Sequence, residues 1–328
     1  MRFVFEQRAC TILYNIVTSI GNPGVFLMPA NICPIVVAAF LKAGVEIEFV
    51  DISNLTLCMD EEIIIKKISA CPSRYSGILF VRSYGVRDSF EYFFGRVKAI
   101  NHNIIIIDDK CVSIPSFDED LRCADVNLYS TGYSKYVDLG WGAFANLKSS
   151  IAYQRKQMVY RATDLAEISS QIRKAIDNPT NIELQQIESD WLDTATPEIE
   201  FELYKKIVLD GLSASRVIKE AYDRKFTEGL LPAIQLPKKF QNWRFNILVP
   251  HKEKLLAKIF DAGLFASSHF KPSTRIFEDI DQPNSDLLHS RIVNLFTDRY
   301  FKFENVDELI YIINDHVQEH LTNQTHAA

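Results

Sequence analysis

The sequence predicts an α/β fold, a mostly parallel sheet covered on both faces and followed by a smaller α+β C-terminal region. Three observations lead there. Up to about residue 147, short and nearly continuous apolar runs alternate with segments whose apolar residues recur at helical spacing. Between about 150 and 230 the chain turns charged and helix-favouring, and after Pro237 strand-like and helical segments alternate again. At 328 residues the chain is long enough for two domains, and so for a cleft between them.

Taken in order, a helix is expected from about Glu6 to Ile20, stopped by Gly21-Asn22-Pro23-Gly24, with a short strand Val25 to Met28 after it. The next helix, Pro34 to Ala43, opens on proline and closes at Gly44, as helices prefer. Strand Glu46 to Ile52, helix Glu61 to Ala70, strand Ile78 to Val81, helix Ser89 to Ile100 and strands Ile104 to Ile107 and Val126 to Tyr129 complete the first half. Tyr153 to Ala175 and Glu198 to Arg224 read as helices. Strand Trp243 to Val249, helix His251 to Ala262, strand Arg291 to Leu295 and helix Val306 to Leu321 follow, with a tail from Thr322 to Ala328 that should fray.

Composition excludes several function classes. Forty-seven per cent hydrophobic and 24% charged residues are ordinary globular values, and a net charge of -6 gives no general attraction for nucleic acid or anionic lipid. Apolar runs such as Pro34 to Leu41 fall far short of the roughly 20 residues of a membrane helix. Glu6 and Arg8 interrupt the apolar stretch a signal peptide would need, so cytoplasm is the expected location. All six cysteines lie within the first 123 residues without Cys-x-x-Cys spacing, and read as reduced core residues. The seven histidines form no metal-like cluster, and no metal is expected.

In open α/β sheets ligands bind beyond the carboxyl ends of the strands. Four polar strand ends share that rim here: Asp51, Ser83-Tyr84-Gly85, Asp108-Asp109 and Ser130-Thr131-Gly132, with Lys135 just past the last. A lysine amine, a carboxylate beyond a neighbouring strand and free N–H groups at a helix opening near Glu6-Gln7-Arg8 are what pyridoxal phosphate (PLP) requires. The amine forms a Schiff base, the carboxylate keeps the pyridine nitrogen protonated and the donors hold the phosphate. Asp109 and its neighbour Asp108 both stand where a carboxylate could face the ring.

The same residues resemble the DegT-type nucleotide-sugar aminotransferases, within the fold-type I PLP enzymes. Leu27-Met28-Pro29-Ala30, Ala43-Gly44 and Phe49-Val50-Asp51 are similar to the family's strand, helix end and strand. Val81-Arg82-Ser83-Tyr84-Gly85 resembles its Val-His-Leu-Tyr-Gly, and Ile106-Ile107-Asp108-Asp109 its Val-Ile-Glu-Asp. Asp125 to Lys135 resembles the segment leading to the PLP lysine, with Ser130 five residues before Lys135; Tyr160 to Leu165 and Arg291 to Leu295 match later segments.

The resemblance implies a PLP-dependent aminotransferase fold, with a PLP-binding large domain over 1-195 and a helical connection and small domain over 196-328. It implies Lys135 and Asp109 as catalytic residues and Ser130, Gln7, Arg8, Asn31, Cys33 and Tyr84 on the cofactor. Transamination of a keto group on a nucleotide-linked sugar, with glutamate as amino donor, in a homodimer, is the implied activity. Elimination or decarboxylation on PLP, or an inactive paralogue serving as a binding subunit, are the alternatives. The chain departs from the family in places. It reads Gly140-Trp141-Gly142-Ala143 where the family has Gly-Glu-Gly-Gly, and Cys111-Val112 where a side chain usually meets the cofactor's phenolic oxygen. Asn31 or Cys33 stands where an aromatic stacks on the ring, and Val159 replaces an asparagine. Tyr84 and Trp141 read as packing residues rather than substrate contacts, and His269 as a loop residue.

Overall fold

The computed structural model describes residues 2–21, 23–177, 184–277 and 280–325. Its first half is built from β1 (Arg2–Glu6), α1 (Ala9–Thr18), β2 (Val25–Pro29), α2 (Pro34–Lys42), β3 (Ile47–Val50), α3 (Glu61–Ala70) and β4 (Tyr75–Val81). It continues with α4 (Glu91–Ile100), β5 (Ile105–Asp109), β6 (Val126–Ser130) and β7 (Ala143–Leu147). These strands form one seven-stranded sheet in the order β1-β7-β6-β5-β4-β2-β3. From β3 to β6 the pairs are parallel; β7 runs antiparallel to β6, and β1 antiparallel to β7.

Local chemistry accounts for these elements. Pro34 opens α2, and Gly44 at φ 70° takes the left-handed position that ends it, with Val45 N–H returning to the Phe40 carbonyl. Asp60 caps α3 by accepting the Glu62 and Ile63 N–H groups at 3.0 and 3.1 Å, a cap that contributes about 1 kcal/mol.

Side chains alternate across the strands, which divides the core in two. Leu27, Ile78, Phe80 and Ile106 face Ile64 and Ile68 of α3 and Phe93, Phe94 and Val97 of α4. Phe26, Met28, Leu79, Ile107 and Leu128 face Ile12, Leu13 and Ile16 of α1 and Val37 and Phe40 of α2. Asp108 therefore continues the α3/α4 side of β5, and Asp109 the α1/α2 side.

The chain continues through α5 (Ala162–Asp177), α6 (Leu184–Glu188) and the 29-residue α7 (Phe201–Gly229). Then come β8 (Phe245–Leu248), α8 (Lys252–Asp261), α9 (Thr274–Phe277), α10 (Pro283–His289), β9 (Ile292–Leu295) and α11 (Val306–Thr325). Antiparallel β8 and β9, with α7, α8 and α11, enclose a core of their own that includes Phe226, Ile247, Leu255, Val293 and Leu309.

Three expectations change. The N-terminal helix does not begin at Glu6: residues 2–6 form a strand, registered Arg2 to Leu147 through Glu6 to Ala143, and the helix starts at Ala9. Glu6 is buried and accepts the Tyr153 hydroxyl at 2.6 Å and Arg155 Nε at 2.7 Å. Those contacts also explain why residues 153–161 are not helical. The Lys156 N–H goes to Asn15 Oδ1, Met158 to Thr194 Oγ1 and Arg161 to the Asp190 carbonyl, so the backbone is satisfied by long-range partners instead. Finally α11 runs to Thr325, through the start of the expected tail; residues 326–328 lie outside the described residues, as does Asn22 of the expected turn.

Candidate active site

At the carboxyl ends of β2, β4, β5 and β6, on the α1/α2 side of the sheet, lies a cavity of about 290 Å³. Lys135, Asp109, Ser130, Arg8, Asn31, Cys33 and Tyr84 all line it. Gln7 does not. It lies in the turn between β1 and α1, where its carbonyl accepts the Gly142 N–H at 2.8 Å. Gly142 is at φ 90°, and a Cβ there would stand 2.8 Å from Thr131 Oγ1, so this seam needs glycine. Thr131 N–H in turn reaches the Gly142 carbonyl at 2.9 Å, which stitches the β1–α1 turn to the end of β6. Arg8 is thereby delivered to the rim, with Nη1 3.3 Å from the Gly140 carbonyl and its guanidinium 5.9 Å from the Tyr133 ring. Among the described residues Arg8 makes no ion pair. Thr11 and Ile12 send their N–H groups to the Arg8 carbonyl, so α1 directs its N-terminal end toward the cavity without a side-chain cap.

Asp109 and Asp108 differ in their partners. Arg82 clamps Asp108 through Nε and Nη2 at 2.6 and 2.7 Å, and Lys110 approaches it at 3.3 Å. Among the described residues, the Cys111 N–H is the one backbone group that Asp109 accepts, at 2.9 Å. Burial pushes its carboxyl above the ordinary carboxylate value, against the pull of the Cys111 hydrogen bonds and the Lys135 charge. Asn31 is buried in the wall of the same cavity, and among the described residues its Oδ1 has no hydrogen-bond partner. Among the described residues, an unpartnered buried carbonyl, a buried carboxylate with one backbone donor and a cation without a counter-ion form a donor and acceptor set against which a ligand can be tested. PLP matches that set: a ring N–H for Asp109, an aldehyde for Lys135 and a phosphate for Arg8, Ser130 and the end of α1.

The wall contains residues that motif reading passes over. Cys10 and Cys111 join Cys33 on the cavity wall while also packing against core side chains; Cys58 and Cys123 belong to the α3/α4 core and Cys71 is exposed. Burial raises all three cavity thiols, Cys10 to about 12. Their positions were available: Cys10 follows Arg8 by two, Cys111 follows Asp109 by two. Trp243 and Phe270 also line the cavity, and nothing in their local sequence announces it. Tyr84, at φ 53°, donates its hydroxyl to the His269 carbonyl at 2.8 Å and so both packs and lines the site. Trp141 packs on Phe5 and Tyr204. His269 lies on the Trp243 ring, centroids 5.6 Å apart, and burial holds its imidazole down at about 3. Among the described residues no three His, Cys, Asp or Glu side chains are arranged to hold a metal, and no helix is long and apolar enough to cross a membrane.

No protein-family model and no curated protein matches the sequence. Solved structures do match. A DegT DnrJ EryC1 StrS aminotransferase from Brucella abortus is 18% identical, with 97% of this chain and 86% of that one covered at a TM-score of 0.65. Spr1654 from Streptococcus pneumoniae has been solved in apo, PLP and PMP forms; the apo form is 15% identical over 99% of this chain and 88% of that one, TM-score 0.71. DesI, solved with its TDP-sugar product, is 15% identical over 100% and 84% of the two chains, TM-score 0.69. At such identities the likeness is one of architecture, and nearly the whole chain shares it: this protein has the PLP-dependent aminotransferase fold.

Proposed function

We propose that this protein is a PLP-dependent aminotransferase that acts on a keto group of a nucleotide-linked sugar. The observation that carries the reading is that Lys135 and Asp109 line one cavity, which also has Arg8, Ser130 and the start of α1 on its wall. DesI, which has this fold, was solved with a TDP-sugar product, and that supports the substrate class.

Each residue has a role set by its chemistry. Ser130 Oγ, the Arg8 guanidinium and the N–H groups at the start of α1 bind the phosphate. Asp109 keeps a proton on the pyridine nitrogen. Bound in this way, PLP supplies an electron-poor ring that can draw electrons from a carbon attached to the transferred nitrogen. Lys135 Nζ would hold the aldehyde carbon of the cofactor, and the same amine is the group placed to take up and give back a proton as base and then acid. Cys33, Val81, Tyr84 and Phe270 contribute apolar surface to the wall of the same cavity.

The chain is read as a PLP-binding large domain over 1-195 and a helical connection with a small domain over 196-328, working as a homodimer in the cytoplasm. Tyr133, 69% exposed beside Arg8, leaves an aromatic at the mouth for a second subunit to cover. Light scattering at micromolar concentration should report a dimer, and a fully active monomer would refute that part. For the reaction, borohydride treatment of the PLP-loaded protein followed by peptide mapping should place the cofactor mass on Lys135. Label on Lys110 or Lys148 instead, or no PLP binding at all, would overturn the assignment.

A further inference from the structure

Lys135 sits directly after a residue in an unfavourable conformation. Ser134 has φ 56°, the left-handed region that residues with a Cβ avoid. Both sides of Ser134 are held. Its N–H donates to Asp138 Oδ2 at 2.6 Å, and its carbonyl, part of the peptide leading into Lys135, accepts the Trp243 indole N–H at 2.6 Å. The Lys135 N–H reaches back to the Gly132 carbonyl at 3.3 Å. Asp138 is fixed in turn, because its Oδ1 accepts the Gly140 N–H at 2.9 Å.

Trp243 comes from the far end of the chain and is itself immobilised. It is 8% exposed, with the His269 ring stacked on it and the Arg244 guanidinium 4.2 Å from its centroid. Arg244 is 3.7 Å from the Phe296 ring, so the stack reaches the β8–β9 ribbon. Trp243 also forms part of the wall between the cavity described above and a second one of about 260 Å³, and Lys135 lines both. A strained peptide gripped from two directions, next to the one lysine of the site, is how a fold spends stability on placement.

We propose that Trp243, with Asp138, is a positioning residue: it holds the Ser134–Lys135 peptide so that the lysine amine points into the Asp109 cavity. This inference rests on the PLP reading for its catalytic meaning but not for its geometry. Two measurements separate these. Competitive acetylation by acetic anhydride in the cofactor-free protein, scaled to the exposed Lys66, reads the setting of the Lys135 amine whatever the natural ligand. Borohydride fixation of PLP reads its delivery to an aldehyde.

In Trp243→Phe, which keeps an aromatic ring but loses the N–H, Lys135 acetylation should rise about threefold or more and PLP fixation at Lys135 should slow about tenfold or more, the scale expected when a reacting group drifts by a fraction of an ångström. Asp138→Asn should move both readouts in the same direction, and it carries the test if Trp243→Phe does not fold. Arg244→Lys disturbs the same stack yet leaves the indole hydrogen bond, and should keep fixation within about twofold. Unchanged acetylation in both Trp243→Phe and Asp138→Asn overturns the proposal, as does an equal slowing of fixation in Arg244→Lys. If the wild-type protein fixes no PLP on Lys135, the PLP reading fails, and the acetylation ratio alone decides the clamp.

Discussion

Two adjacent carboxylates on one strand, Asp108 and Asp109, are treated oppositely by the two faces of the sheet. Asp108 meets a complete set of partners: Arg82 through two nitrogens, then Lys110, which also pairs with Glu119. Asp109, also buried, receives backbone help from one N–H, and among the described residues Lys135 is the positive charge that acts on it. A buried charge is normally matched inside the protein. The face that leaves its charge unmatched is the face that expects a ligand, so the difference between the two residues separates structure from function more sharply than either residue alone.

The comparison can be broken by substitution. Asp108→Asn strands the Arg82 guanidinium, 7% exposed, without its counter-ion, and should cost about 3 kcal/mol or more in a denaturant melt. Asp109→Asn should leave the cofactor-free melt unchanged or slightly raised, yet lower turnover about 100-fold or more, because an amide cannot hold the ring proton. Equal effects of the two substitutions on turnover would mean that the faces have been misassigned.

A smaller effect sharpens the contrast through pH. Because Asp109 titrates above its ordinary 3.8, the folded cofactor-free protein keeps a proton that the unfolded chain has released. This contribution to stability is present at low pH and lost as pH rises through the raised value. It should vanish in Asp109→Asn and reverse when PLP places a cation against the carboxylate. A melting temperature for wild type minus Asp109→Asn that stays flat from pH 4 to 7 would count against it.

The sequence made some of this visible and hid the rest for identifiable reasons. Apolar runs such as Ile104 to Ile107 carry the parallel strands because both faces are covered, and Pro34 and Gly44 bracket α2 by local geometry alone. The alternation of β5 puts Asp108 and Asp109 on opposite faces in any register; which face carries the site is decided by α1 and α2. β1 was hidden because its partner, β7, lies about 140 residues away. Residues 153–161 look helical in composition but bond to Asn15, Asp190 and Thr194, which no window around them contains. Trp243 belongs to the same class: its partner Ser134 is 109 positions earlier. Short contacts were legible, and the clamps across the chain were not.

The pairing of β1 with β7 also bears on how the molecule assembles as it is made. Among the described residues β1 is an edge strand paired with β7, which ends at Leu147, so Phe3, Val4 and Phe5 must wait for most of the sheet to be synthesised. The turn that aims Arg8 is fixed by Gly142 and so forms equally late. A nascent chain halted before residue 143 should therefore hold its central parallel strands and still lack a place for an anion, and a ligand for that place would favour only chains that have completed the sheet.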